Sequence, residues 1–175
     1  ADIKAIIPEV LAVAREAMDR AVGRRNIFDP AQAFDPTVLP DDVRALYDER
    51  ALALIFRVED CYVRAVAERF QDGVCTDSCV EFFVAPITGS QAYFNFEVNC
   101  GGTMLLHRCP SPEERDQGRN TENVSDEDGA TIQMATTLPK IVEPEIAEPT
   151  TWAVEYHVPF ALFAKYFGSQ TPTPG

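Results

Sequence analysis

Five side chains in two short segments could together hold a polar ligand. Glu81 lies in Asp77-Ser78-Cys79-Val80-Glu81-Phe82-Phe83-Val84, and Tyr93, Asn95, Glu97 and Asn99 lie in Tyr93-Phe94-Asn95-Phe96-Glu97-Val98-Asn99-Cys100. Carboxylates and planar amides bond vicinal hydroxyls, and a tyrosine ring offers a flat face to C–H groups, which is the chemistry of sugar recognition. Two facing acids could also share acid–base work on a glycosidic bond, which uses carboxyls roughly 5–9.5 Å apart. The alternative is a solvated or loop-covered sheet face, with its carboxylates paired to Arg57 or Arg108.

Positioning these groups requires a hairpin. Phe94, Phe96, Val98 and Cys100 alternate with Tyr93, Asn95, Glu97 and Asn99, the period of a strand with one buried and one wet face. Val80, Phe82 and Val84 form the apolar face of the preceding strand, and Ile87-Thr88-Gly89-Ser90 supplies a turn. Matching apolar to apolar sets Val80 opposite Val98, Phe82 opposite Phe96 and Val84 opposite Phe94. Glu81 then stands beside Glu97. A slip of one residue would set Phe82 against Glu97, so patterning selects the first register. That register puts Cys79 and Cys100 on opposite faces and excludes a disulfide between them.

Elsewhere the pattern predicts a helix over 8–22, opened by Pro8 and stopped by Gly23, with Leu11, Ala14, Met18, Ala21 and Val22 as its apolar stripe. Residues 26–42 carry Pro30, Pro36 and Pro40 and read as a connection. A second hairpin is expected over 43–60, turning at Asp48-Glu49-Arg50. Strands are expected over 103–107, 131–137 and 151–158, and a short helix over 159–167. Residues 109–129 read as a polar exposed loop and 138–150 as a proline-bearing loop. The fold class is therefore all-β: an antiparallel β-sandwich, immunoglobulin- or jelly-roll-like, with an added N-terminal helix. The expected division is 1–42 for helix and connection and 43–175 for the sandwich.

Charge narrows the partners. Asp and Glu outnumber Lys and Arg by 28 to 15 in a chain of 175 residues, a net charge of −13. Nucleic acid and acidic membrane surfaces need clustered cations, so neither is expected as a partner. No apolar run is long enough for a membrane span. The start, Ala1-Asp2-Ile3-Lys4, shows neither an initiator Met nor a signal-peptide layout and reads as a trimmed end. The five cysteines, at 61, 75, 79, 100 and 109, are odd in number and lack zinc-finger spacing, so they read as small buried residues.

Four separated segments resemble, in order, the carbohydrate-binding module family 9-like domains, β-sandwiches related to the DOMON domains. They are Ala51–Asp60, Asp77–Val84, Tyr93–Thr103 and Trp152–Phe160. The resemblance implies a non-catalytic module that binds a sugar or oligosaccharide through Glu81, Tyr93, Asn95, Glu97 and Asn99. It also implies work outside the cytoplasm, in an extracellular or periplasmic setting. In sugar-binding members the F-x-V-N strand contributes an arginine and an asparagine; Asn99 matches the latter, while Glu97 stands in the arginine's place. Such members hold the sugar between two tryptophans, whereas this chain has Trp152 alone, on the apolar side of its strand. The resemblance further implies closing strands beyond Val158, so an open edge is expected that missing strands or a partner chain would cover. Calcium is the ion associated with such modules; Asp126, Glu127 and Asp128, and separately Asp60 and Asp77, are the oxygen donors to consider. Two alternatives stay open: a small carbohydrate-active enzyme using the paired carboxylates, and a DOMON-type haem protein. Met104 and His107 fall on opposite faces of one strand and could not clamp one iron together; His157 or Lys165 would have to supply a second ligand.

Overall fold

The computed structural model describes residues 42–168, so the helix expected over 8–22 and nearly all of the 1–42 segment lie outside the described residues. Within them, alternation governs the architecture. The first four-stranded antiparallel sheet runs β1 (Asp42–Tyr47), β2 (Ala51–Asp60), β10 (Thr150–Pro159), β8 (Gln133–Thr136). The second runs β4 (Cys79–Val84), β5 (Tyr93–Asn99), β6 (Met104–Cys109), β7 (Glu122–Asn123). A two-stranded ribbon joins β3 (Val63–Ala65) to β9 (Val142–Ile146). The all-β sandwich read from the sequence is the fold observed.

Each sheet buries one face. Leu54, Val58, Trp152, Val154, Tyr156 and Val158 from the first sheet pack in one core with Phe82, Phe94, Phe96, Val98, Met104 and Leu106 from the second. Tyr156 joins the two layers: its ring stacks on Phe56 and on Phe96, both at 6.0 Å between centroids. Every such ring withdrawn from water contributes roughly 1.5–3 kcal/mol. Trp152 is 1% exposed, a core residue as its alternation indicates and not a surface platform.

The helix α3 (Phe160–Phe167) follows β10 directly and closes one end of the core with Leu162 and Phe163. Gly168 ends it in the left-handed region (φ 65°), which glycine enters without a Cβ penalty. Strand β10 is interior, between β2 and β8, so the edges of its sheet are β1 and β8. The edges of the other sheet are β4 and the two-residue β7.

Two expectations of loop are corrected. Residues 109–129 contain α1 (Pro112–Asp116), α2 (Asp126–Gly129) and β7. Ser111 and Glu114 form a reciprocal capping box on α1, and Ser125 accepts from the Asp128 N–H on α2, so short polar sequence is ordered by its own caps. Residues 138–150 contain β9, although Pro144 sits within it; its partner β3 is only three residues long, and neither segment signals a strand alone. The cysteine reading holds for Cys100 and Cys109, which are buried. Cys61 and Cys75 are exposed, Cys79 is half-buried, and none of the five is in a disulfide.

Candidate functional site

The β4–β5 register is the one that patterning selects: Val80 pairs with Val98, Glu81 with Glu97, Phe82 with Phe96 and Val84 with Phe94. Glu81 and Glu97 therefore stand side by side on the outer face, both half-buried. The next row toward the β4–β5 turn holds Phe83 and Asn95, and Tyr93 follows beyond it. The Phe83 and Tyr93 rings lie 5.9 Å apart and tilted by 56°, which leaves Phe83 only 7% exposed. Asn95 donates from Nδ2 to Glu97 Oε1 at 2.8 Å. Four of the five candidates thus share one surface.

Asn99, the fifth, sits differently. It lies on the same side of β5 but is fully buried. Its Nδ2 donates to Asp77 Oδ2 at 2.8 Å, and its Oδ1 accepts the Thr103 N–H at 2.7 Å. The Thr103 carbonyl in turn accepts the Asn99 N–H. Asn99 therefore braces the β5–β6 turn, with both ends of its amide bonded within the chain. Asp77 Oδ2 also accepts the N–H groups of Val66 and Ala67. These links fix where β4 begins, and with it the height of Glu81.

The structure adds a third strand that sequence reasoning left unplaced. On β6, Leu105 pairs with Glu97 and His107 with Asn95; on β7, Asn123 pairs with His107. Leu105 and His107 are half-buried and Asn123 is exposed. A hydrogen bond links the His107 and Asn123 side chains, and partial burial holds the His107 pKa below the ordinary imidazole value against it. Gly101-Gly102 was the available signal: Gly102 turns at φ 81° and folds β6 back beside β5. Met104 and His107 do lie on opposite faces, with Met104 in the core.

Neither arginine suggested for the carboxylates belongs to this face. Arg57 bridges Glu59 at 2.6 Å on the other sheet. Arg108 points inward, bonded to Glu114 at 2.6 Å and to the Tyr166 carbonyl at 3.1 Å. The acidic cluster of α2 is also structural in part: Asp128 accepts from Lys165 Nζ, Ser125 Oγ and the Tyr166 hydroxyl at 2.7–2.8 Å. These donors hold its carboxyl at about 2, well below the usual range. Among the described residues no group of three or more His, Cys, Asp or Glu side chains is placed to hold a metal ion. No described helix is long and apolar enough to cross a membrane.

Beside the β5–β6 turn, Phe70, Thr103, Met104, Ile132, Met134 and Lys140 line a small cavity of about 180 Å³. The Lys140 ammonium bonds the Gly102 carbonyl at its rim, 3.2 Å away.

Comparison with known proteins agrees with the fold. A crystal structure of a "putative carbohydrate-binding protein" from Bacteroides uniformis superposes with a TM-score of 0.63 at 26% identity. The match covers 77% of this chain and 56% of that one, so this chain spans little more than half of its length. No curated protein matches the chain. The family described as carbohydrate-binding family 9 matches residues 8–169, which takes in every element of the sandwich. By that match and by the order of its strands, the chain belongs to carbohydrate-binding family 9.

Proposed function

We infer that this chain is a non-catalytic module that binds a neutral sugar or oligosaccharide on the outer face of β4 and β5. The observation that carries the reading is the pairing of Glu81 with Glu97, with Asn95 and Tyr93 in the adjoining rows. Two carboxylates and an amide give directed acceptors for vicinal hydroxyls, and Tyr93 gives an aromatic edge to the patch. Glutamates paired at this spacing, in a chain of net charge −13, disfavour a uronate or a sulfate and favour an uncharged ligand. Family membership supports the sugar, and the Glu97 side chain where relatives carry arginine separates this site from theirs in charge. By analogy with such modules the setting is extracellular or periplasmic.

A glycan array spanning neutral, amino and uronic sugars tests the reading, followed by calorimetric titration. Glu97→Ala and Glu81→Ala are expected to weaken binding about 10- to 100-fold, the range for losing a hydrogen bond to a charged group, with melting little changed. Binding that survives both substitutions, or an array with no bound glycan, would overturn it.

A further inference from the structure

The polar surface does not end at β5. Asn95 pairs with His107 on β6, and His107 pairs with Asn123 on β7, so one row crosses the whole sheet from Phe83. Adjacent strands lie about 4.8 Å apart, which makes the crossing from β4 to β7 about 14 Å, longer than a single pyranose ring.

The chemistry changes along that crossing. At the β4–β5 end the groups are the carboxyls of Glu81 and Glu97. At the β6–β7 end His107 and Asn123 are bonded to each other, which leaves the second ring nitrogen and the rest of the amide to face a ligand, and partial burial shifts the imidazole toward its neutral form. Leu105, one row over and paired with Glu97, adds an apolar step against which C–H groups can rest.

Asn95 joins the two ends. Its NH2 donates to Glu97, and turning the amide over would set its carbonyl oxygen against a carboxylate. In the observed orientation Asn95 Oδ1 is buried and without a donor. Buried acceptors are nearly always satisfied in native proteins. A hydroxyl delivered between Glu97 and His107 is the donor this position lacks.

We propose that the site takes a glycan of at least two rings laid across the strands, one ring over Glu81 and Glu97 and the next over His107 and Asn123. His107 is then a ligand-binding residue that sets the preference for chain length. The proposal rests on the reading that the β4–β5 face binds sugar.

The test titrates the whole chain with monosaccharides and their disaccharides: glucose with cellobiose and maltose, xylose with xylobiose, mannose with mannobiose, and N-acetylglucosamine with chitobiose. For the sugar that binds, the disaccharide should bind about tenfold tighter than the monosaccharide. His107→Ala should bring the disaccharide down to the monosaccharide's affinity and leave the monosaccharide unchanged. His107→Gln, which keeps a donor and an acceptor, should recover part of the difference and controls for any loss of fold in the alanine variant. Equal affinity for one and two rings, or an equal loss for both in His107→Ala, overturns this inference alone. Absence of binding to every member of the panel overturns the sugar reading and this inference with it.

Discussion

Asn99 donates to Asp77 Oδ2 at 2.8 Å, and both side chains are buried. The bond ties the end of β5 to the start of β4, so it sets the alignment of the strands that carry Glu97 and Glu81. The pair acts on the Glu81/Glu97 face through the backbone.

Asn99→Ala should therefore act first on stability. It strips a charged acceptor of one donor and leaves the buried Thr103 N–H without its side-chain partner, a loss of about 2–3 kcal/mol. Denaturant unfolding should show a lower midpoint. A variant as stable as the parent but devoid of sugar binding would place Asn99 at the ligand instead.

Trp152 is the single tryptophan and is 1% exposed, with the core packed around it. Its emission should be blue-shifted in the folded chain and move to the red only on global unfolding. Saturating sugar should leave the spectrum unchanged. Quenching or a spectral shift on adding glycan would mean that the indole meets the ligand.

Gly101 and Gly73 should differ sharply when replaced by alanine. A Cβ at Gly101 would overlap the Lys140 backbone carbonyl and press on Ala65, and neither can swing aside. Gly101→Ala should lose about 1–3 kcal/mol. Nothing lies within 4 Å of a Cβ at Gly73, so Gly73→Ala should stay within about 0.5 kcal/mol of the parent. Paired urea titrations decide between them.

Asp128 makes the clamp between α2 and α3 sensitive to acid. Its folded carboxyl is held at about 2 against an unperturbed 3.8, so the folded state favours the ionised form. That contribution is fully present above about pH 4 and fades as pH falls toward about 2. The Lys165 pKa is raised, chiefly by its bond to Asp128, so its contribution is present below the usual lysine value and fades only in strong alkali. Melting of Asp128→Asn against the parent should show a gap at pH 7 that narrows between pH 4 and pH 2. A gap independent of pH would assign the effect to packing.

Much of the hairpin was legible because two strong patterns agree. Phe94, Phe96 and Val98 can meet Val80, Phe82 and Val84 in only one register without burying Glu97, and the period of two then brings Glu81 to its side. Trp152, Val154, Tyr156 and Val158 declared the inner face of β10 in the same way. The segments that escaped are those whose pairing is remote. β9 finds β3 about 80 residues away, and the two residues of β7 are strand only because β6 lies beside them. The helices α1 and α2 are fixed by one or two serine caps, a signal confined to a few polar atoms inside what reads as loop.

The sequence by itself determined which side chains share a face, because alternation along a strand is local and covalent. Only the tertiary structure decided depth: Asn95 and Asn99 have the same parity on β5, yet one is half-buried beside Glu97 and the other lies sealed against Asp77. Burial depends on what packs above a strand, here the segment carrying Val66, Ala67 and Asp77, and no pattern within β5 encodes a neighbour more than twenty residues away.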